Sequence, residues 1–403
     1  MIAGSQATRA AGLARLADFL PRAGRDYART RNEDRGPDDR TNISLLSPYL
    51  RRRLITEEEV IRTVRERHGR VASEKFVAEV LWRTYWKGWL EQHPGVWQAY
   101  LRDIACLQDR LATEAPLRDA YEAAVEGRTG IGGFDAWSRE LVQSGYVHNH
   151  ARMWFASIWT FTLGLPWQLG ADFFYRHLID GDPASNTLSW RWVVGLHTKG
   201  RTYAARRDNI VRYTGGRFDP GARLAHHAPA LEEPADITAV VPAPAALPIP
   251  AEAMLLLHAE DLHPESLPLT RSQIRGIALL ESPAGGRASS TLAFDAQALS
   301  DAADRASAHF GVPIHRIHSD DSSAALERFA GDCRVDAIVT PYAPVGTIRD
   351  ALEALAFGLS PAARFHPCLR RWDEALWPGA RSGYFSFAKR ADKYLDIVPP
   401  AGA

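Results

Sequence analysis

Apolar residues recur at three- and four-residue spacing through most of the first 220 positions, the period of a helix with one buried face. The stretches 61–70 (IRTVRERHGR), 75–92 (KFVAEVLWRTYWKGWLEQ), 134–145 (FDAWSRELVQSG) and 150–164 (HARMWFASIWTFTLG) all read this way. Thr56 followed by Glu59 has the form of a capping box opening a helix. Strand signals are nearly absent before residue 240, so this part is expected to be all-helical. Residues 221–252 are rich in Pro and Ala and keep no period, as in an extended linker. Beyond them the pattern alternates. AMLLLHA (253–259), IRGIALLE (274–281), VPIHRI (312–317) and VDAIVTP (335–341) read as strands. Residues 296–311, 322–332 and 347–358 read as the helices between them, the first stopped by Gly311. Strand–helix alternation with short connections predicts a parallel, doubly wound sheet. The division is therefore 1–220, 221–252 and 253–403.

A 403-residue chain exceeds one ordinary core. At 46% hydrophobic and 24% charged, its composition is that of a soluble globular protein. No apolar run approaches the roughly 18 residues of a membrane span, and the N-terminal stretch lacks a signal-peptide pattern. Cys106, Cys333 and Cys368 form no CxxC pair and are too few for a four-cysteine cluster, so a reducing cytoplasm is the expectation. The net charge of zero hides an asymmetry: residues 1–220 carry 32 Lys+Arg against 26 Asp+Glu, and the remainder 16 against 22. Ten of the twelve tryptophans precede residue 193. The sheet half contains neither GxGxxG nor GxxxxGK[ST], so no dinucleotide or P-loop site is read there.

The richest segment runs from Gly145 to Phe218. It contains His148-Asn149-His150-Ala151-Arg152-Met153, Asp180-Gly181-Asp182 with Asn186, and Trp190-Arg191-Trp192. Taken singly, an Arg and an Asp here are what a buried ion pair in a helical bundle looks like. Jointly, HNxxRM, DGDxxxN and WxW resemble the flavin domain of the DNA photolyase/cryptochrome family. The resemblance extends upstream through Tyr27-Ala-Arg-Thr-Arg31, Ser44-Leu-Leu-Ser47-Pro-Tyr-Leu and Glu79-Val-Leu-Trp82-Arg83-Thr-Tyr-Trp.

That resemblance implies an all-helical FAD-binding domain over residues 1–220. Tyr27, Ser44 and Ser47 match the phosphate contacts, although Ile43 stands where the family has threonine. Arg152 and Asp180 match the pair at the flavin ring edge, Asp182 the position near O2 and N3, and Asn186 the residue beside N5. Arg83 and Asn149 complete the set. Trp190 and Trp167 match two of the three tryptophans along which such proteins reduce their flavin. The third has no match, and Trp154, Trp159 or a tyrosine stay open as the exit. Glu79, Trp82, Asn149, Met153 and Trp192 match the pocket for cyclobutane pyrimidine dimers, in which a lesion is taken out of the base stack. His150 replaces an arginine of that pattern.

The α/β half, 253–403, resembles the family's antenna domain, there placed first. This implies a circular permutation with 221–252 as tether: a helical FAD-binding domain followed by a Rossmann-like parallel-sheet domain. Glu260-Asp261-Leu262 replaces an arginine-rich run, and Gly346 stands where folate-binding members carry glutamate, so an antenna chromophore stays open. His258, Glu260 and His263 read better as ordinary polar loop residues than as metal ligands. The implied function is light-driven repair of dimers in UV-damaged DNA by electron donation from reduced FAD. The alternatives are a cryptochrome-like photoreceptor and a flavin redox protein without DNA repair.

Overall fold

The computed structural model describes residues 5–317, 322–359 and 364–398. The protein is mostly helical with one five-stranded parallel sheet. Compactness groups the chain into two units that do not follow the contiguous segments. The first comprises chiefly Arg22–Leu45 and His93–Val240; the second comprises Gln6–Pro21, Leu46–Gln92 and Val241 onward.

The first unit contains helices and no strand among the described residues. Its longer helices are Gly95–Thr113, Ala115–Val125, Gly132–Ser144, Asn149–Ser157, Trp167–His177 and Pro183–Val193. The helical period read across 150–164 holds only in part, because Ile158–Thr162 winds as a single π turn. Tryptophans and phenylalanines fill the core: Trp97, Trp137, Trp154, Trp159, Phe134, Phe155 and Phe174 are all buried.

In the second unit, Thr56 Oγ1 accepts from Glu59 N at 3.2 Å and so caps the helix Glu57–Gln92, as the sequence predicts. Gly69, at φ 73°, interrupts that helix near the end of its first periodic stretch. The strands are β1 (Ala253–Leu257), β2 (Ile274–Leu280), β3 (Ile314–Ile317), β4 (Ala337–Pro341) and β5 (Arg364–Cys368). They lie in the order β3-β2-β1-β4-β5, and every pairing is parallel. Central β1 is buried throughout, which explains its unbroken AMLLL run. The pattern reading missed β5: its RFHPC carries a proline and no alternation, which only an edge strand tolerates. Gly311, at φ 73°, ends the helix Ser289–Phe310 where expected.

What joins the distant segments of this unit is charge. Three consecutive arginines each take a different carboxylate: Arg51 binds Glu260 at 2.6 Å, Arg52 binds Asp295, and Arg53 binds Asp373 through two bonds of 2.7 Å. Arg53 also reaches Asp261 and Glu57, each at 3.2 Å, and Arg370 holds Asp261 from another side. Burial alone would push the Asp261 carboxyl up; Arg370 and Arg53 reverse this and hold it below the usual carboxylate range. Lys87 pairs with buried Glu260 and half-buried Arg65 with Asp392, while exposed Arg70 reaches Asp392 and Asp396 at the surface. Much of the basic-versus-acidic asymmetry is thus spent inside this unit rather than displayed to a partner. The polar residues after β1 belong to the same frame: His258 Nε2 meets Pro341 O at 2.9 Å and Glu260 lies between Arg51 and Lys87.

Replacing Arg53 by Ala leaves three carboxylates crowded in a buried place, and is expected to lower the unfolding free energy by about 3–5 kcal/mol. Urea denaturation measures this, and a loss under about 1 kcal/mol would show that the cluster does not hold the unit. Acid should act earlier than these carboxylates allow. Burial pushes His148 and His263 down to about 4 and His197 to about 3. The unfolded chain protonates its histidines near pH 6.5 while the folded one does not, so stability is full above that pH. It should fall as pH drops from about 6.5 toward 4, by up to about 1.4 kcal/mol per pH unit for each histidine. A stability constant between pH 7 and 5 would contradict this.

Candidate functional site

The DGD loop of the first unit is pinned before any ligand is considered. Helix Trp167–His177 ends, Gly181 N donates to Leu178 O, and Ile179 N donates to Gly145 O at 3.0 Å. Gly145 adopts φ 65°, and a Cβ there would meet Ile179 at 2.6 Å, so only glycine lets these two loops touch. Asp180 is thereby brought to Arg152, whose Nη2 lies 3.2 and 3.1 Å from the two carboxylate oxygens. Arg152 Nε donates to Val147 O at 2.8 Å, and the guanidinium lies over the Tyr146 ring. The side chain stays about a quarter exposed, 24% against 5% for Asp180. Fixed at Nε and Nη2, it keeps Nη1 as a charged donor for a polar ring edge.

Asp182 starts the helix Pro183–Val193, its Oδ1 accepting from Ser185 N at 2.7 Å. One turn on, buried Asn186 donates Nδ2 to Ala171 O at 2.8 Å. That bond fixes the amide, so Oδ1 is the end left to accept from a ligand N–H. Tyr27 and Ser44, both half-buried, supply hydroxyls in the same unit; Leu45 after Ser44 has a left-handed backbone at φ 54°. The donor set fits a flavin nucleotide: a charged donor, an oriented amide acceptor and hydroxyls.

Asn149, exposed, and Met153, half-buried, stand four residues apart on helix Asn149–Ser157 and so share a face. Half-buried Trp192 packs against Tyr203 with ring centroids 5.9 Å apart. His150 stacks on Trp154 at 4.2 Å, and its Nδ1 meets Asn32 O at 3.1 Å. Burial pushes its pKa down. Trp190 is buried edge-on to Phe174 and Trp159, while Trp167 stacks on Tyr100.

The second unit carries the remaining matches. Ser47 begins the short helix Ser47–Arg51. Glu79, Trp82 and Arg83 are half-buried at i, i+3 and i+4 on helix Glu57–Gln92, hence on one side of it. Sequence reasoning missed what lies on Trp82. Tyr384, the first residue of helix Tyr384–Ile397, stacks on its ring at 3.7 Å and 8°, and donates its hydroxyl to Ala78 O at 2.9 Å. A lone GYFSF segment carries no signal for such a contact.

Residues 76–260 match the family described as the FAD binding domain of DNA photolyase. The chain is 37% identical over 176 residues to a deoxyribodipyrimidine photo-lyase of Streptomyces griseus, covering 44% of this chain and 36% of that protein. It is 31% identical over 232 residues to cryptochrome DASH of Synechocystis, covering 55% and 45%. A crystal structure of a bacterial class III photolyase from Agrobacterium tumefaciens is 27% identical, covers 52% of this chain and 43% of that one, and gives a TM-score of 0.43. The chain thus spans less than half the length of these relatives.

FAD is expected to copurify, identified by chromatography after heat release. Asp180→Ala removes the anchor of Arg152 and should weaken FAD binding by roughly tenfold or more. Asp180→Asn, which keeps an oxygen acceptor, should lose less. Equal flavin content in all three proteins would remove the Arg152–Asp180 pair from the cofactor site.

Proposed function

The chain belongs, through its FAD-binding domain, to the DNA photolyase/cryptochrome family, and from that premise we propose that it splits cyclobutane pyrimidine dimers in DNA under blue light. Bound FAD supplies the light absorption and the electron; the protein supplies placement and electrostatics. Arg152, Asp180, Asp182 and Asn186 hold the ring edge, and Tyr27 and Ser44 the phosphates. Ser47 and Arg83, and the lesion contacts Glu79 and Trp82, keep the roles that the resemblance implies. The observation that carries the repair reading is the shared face of Asn149 and Met153, open to solvent and on the same helix as Arg152 of the ring-edge pair. An amide and a thioether there suit a pyrimidine pair: one hydrogen-bonds its edge and the other packs under its methyl groups.

The same proposal treats residues 253–403 as the family's α/β part in permuted order, which the all-parallel β3-β2-β1-β4-β5 sheet supports. In such sheets ligands sit outside the carboxyl ends of the strands where the order reverses, here between β1 and β4. That place holds Glu91, which accepts from Tyr342 Oη at 2.7 Å and Val345 N at 2.6 Å and pairs with Arg349 at 3.0 Å. A crevice filled by its own ion pair supports a structural role for the sheet over an antenna chromophore.

One observation favours a second reading, a cryptochrome-like photoreceptor: Tyr384 already covers the Trp82 ring on which a flipped base would stack. Single-turnover illumination of the reduced protein with a thymine-dimer oligonucleotide separates the two. Repair predicts restored thymine and tighter binding of the damaged than of the intact strand, since a damaged base costs less to flip. Equal affinities and no thymine would reject repair and leave the photoreceptor.

A further inference from the structure

The aromatic core of the first unit is not a uniform packing of rings. Trp190 meets Trp159 edge to face, ring centroids 6.3 Å apart at 88°. Trp159 in turn meets Tyr121 at 6.0 Å and 85°. Two local features create this line. The π turn Ile158–Thr162 carries Trp159, and such turns shift the helix face on which following side chains fall. Gly170 leaves the room: a Cβ there would lie 2.3 Å from the Trp190 ring and 2.9 Å from that of Trp159.

The line has a sealed end and an open one. Trp190 and Trp159 are 3% and 0% exposed, whereas Tyr121, on helix Ala115–Val125, is partly open to solvent. The neighbouring branch differs. Trp167 stacks on Tyr100 and Tyr100 on Trp97, and these last two are 5% and 2% exposed.

We propose that electrons enter Trp190 through Trp159 from Tyr121, and that Tyr121 is the surface donor that the sequence left unassigned. The proposal rests on the flavin reading and names its electron route. Light-driven loss of an electron from Trp190 is made good by Trp159, whose Nε1–H is tied to Pro166 O at 2.9 Å. A backbone carbonyl is no base, so oxidised Trp159 keeps its proton and remains a strong oxidant. It takes one electron from Tyr121. The phenol, protonated at rest as any tyrosine is near neutral pH, then releases its proton to water. A thiol outside the protein returns one electron and one proton to Tyr121, becoming half of a disulfide. Per cycle, one electron moves from thiol to flavin.

The test uses the flavin-loaded full chain, with flavin content and circular dichroism checked for every variant. Freeze-trapping after a flash, with protein carrying deuterated tyrosine or deuterated tryptophan, identifies the radical by paramagnetic resonance. The wild type should give a tyrosine signal. Tyr121→Phe should replace it by a tryptophan signal and slow thiol-dependent photoreduction by roughly tenfold or more. Tyr121→Trp should restore the rate with a tryptophan signal, which a merely structural role for the ring does not predict. Trp159→Phe should lose both signal and rate. A tyrosine signal undiminished in Tyr121→Phe, or a wild-type rate in Trp159→Phe, overturns this route and leaves the flavin reading intact. A wild type that binds flavin and never photoreduces overturns both.

Discussion

Arg53 is the constraint on which the second unit turns. Its guanidinium is fully buried at a residue whose own backbone is left-handed, φ 51°, a conformation uncommon outside glycine. That geometry persists because Asp373, Asp261 and Glu57 surround the group, drawn from the start of the long helix, the loop after β1 and the segment after β5. Burial disfavours the charge, yet the three carboxylates outweigh it and keep Arg53 protonated well beyond its ordinary range. With Arg370 as second cation, two positive charges face three negative ones. A buried network of this kind is weak as a source of net stability, but it is costly to break, so it selects one arrangement of distant segments over others.

In the first unit the analogous constraint is steric. Gly145 and Gly170 are needed because side chains there would strike Ile179 and the indoles of Trp190 and Trp159. The first contact brings Asp180 to Arg152; the second sets the spacing of the aromatic line. The polar site and the aromatic line therefore depend on two missing β-carbons, that of Gly170 within helix Trp167–His177 and that of Gly145 against Ile179 just beyond its end. Asn186 connects them: its amide is tied to Ala171, next to Gly170, on the same helix.

The legible parts of this protein are those where chemistry and spacing coincide locally. The capping box at Thr56, the stop at Gly311 and the buried β1 and β2 follow from short-range rules. The HNxxRM and DGDxxxN motifs led to Arg152 and Asp180, which the fold pairs across 28 residues. What sequence could not supply is pairing across long separations. The run Arg51-Arg52-Arg53 looks like a solvated basic patch, yet each side chain is buried against a carboxylate more than 200 residues away. Its consequence, that residues 46–92 group with the sheet part in one compact unit, is likewise a matter of long-range pairing. Edge strand β5 and the π turn escaped for a different reason: neither has a periodic signature.

The Tyr384 stack bears on energetics as much as on identity. A base resting on an aromatic ring gains about 1–3 kcal/mol. Trp82 already has a parallel ring at 3.7 Å, and that ring is also hydrogen-bonded to the backbone of the helix beneath it. An aromatic pair contributes about 0.5–1.5 kcal/mol beyond its buried area, and a hydrogen bond about 1 kcal/mol. Exchanging Tyr384 for a base is therefore close to neutral, and Trp82 adds little net affinity while the tyrosine stays in place. On the proposed repair reading, discrimination of damaged DNA would then rest on the lower cost of unstacking a lesion and on Asn149 and Met153, which are exposed and half-buried. The basic residues offer less than their number suggests, since Arg51, Arg52, Arg53, Arg65 and Lys87 are all committed to carboxylates of the same unit.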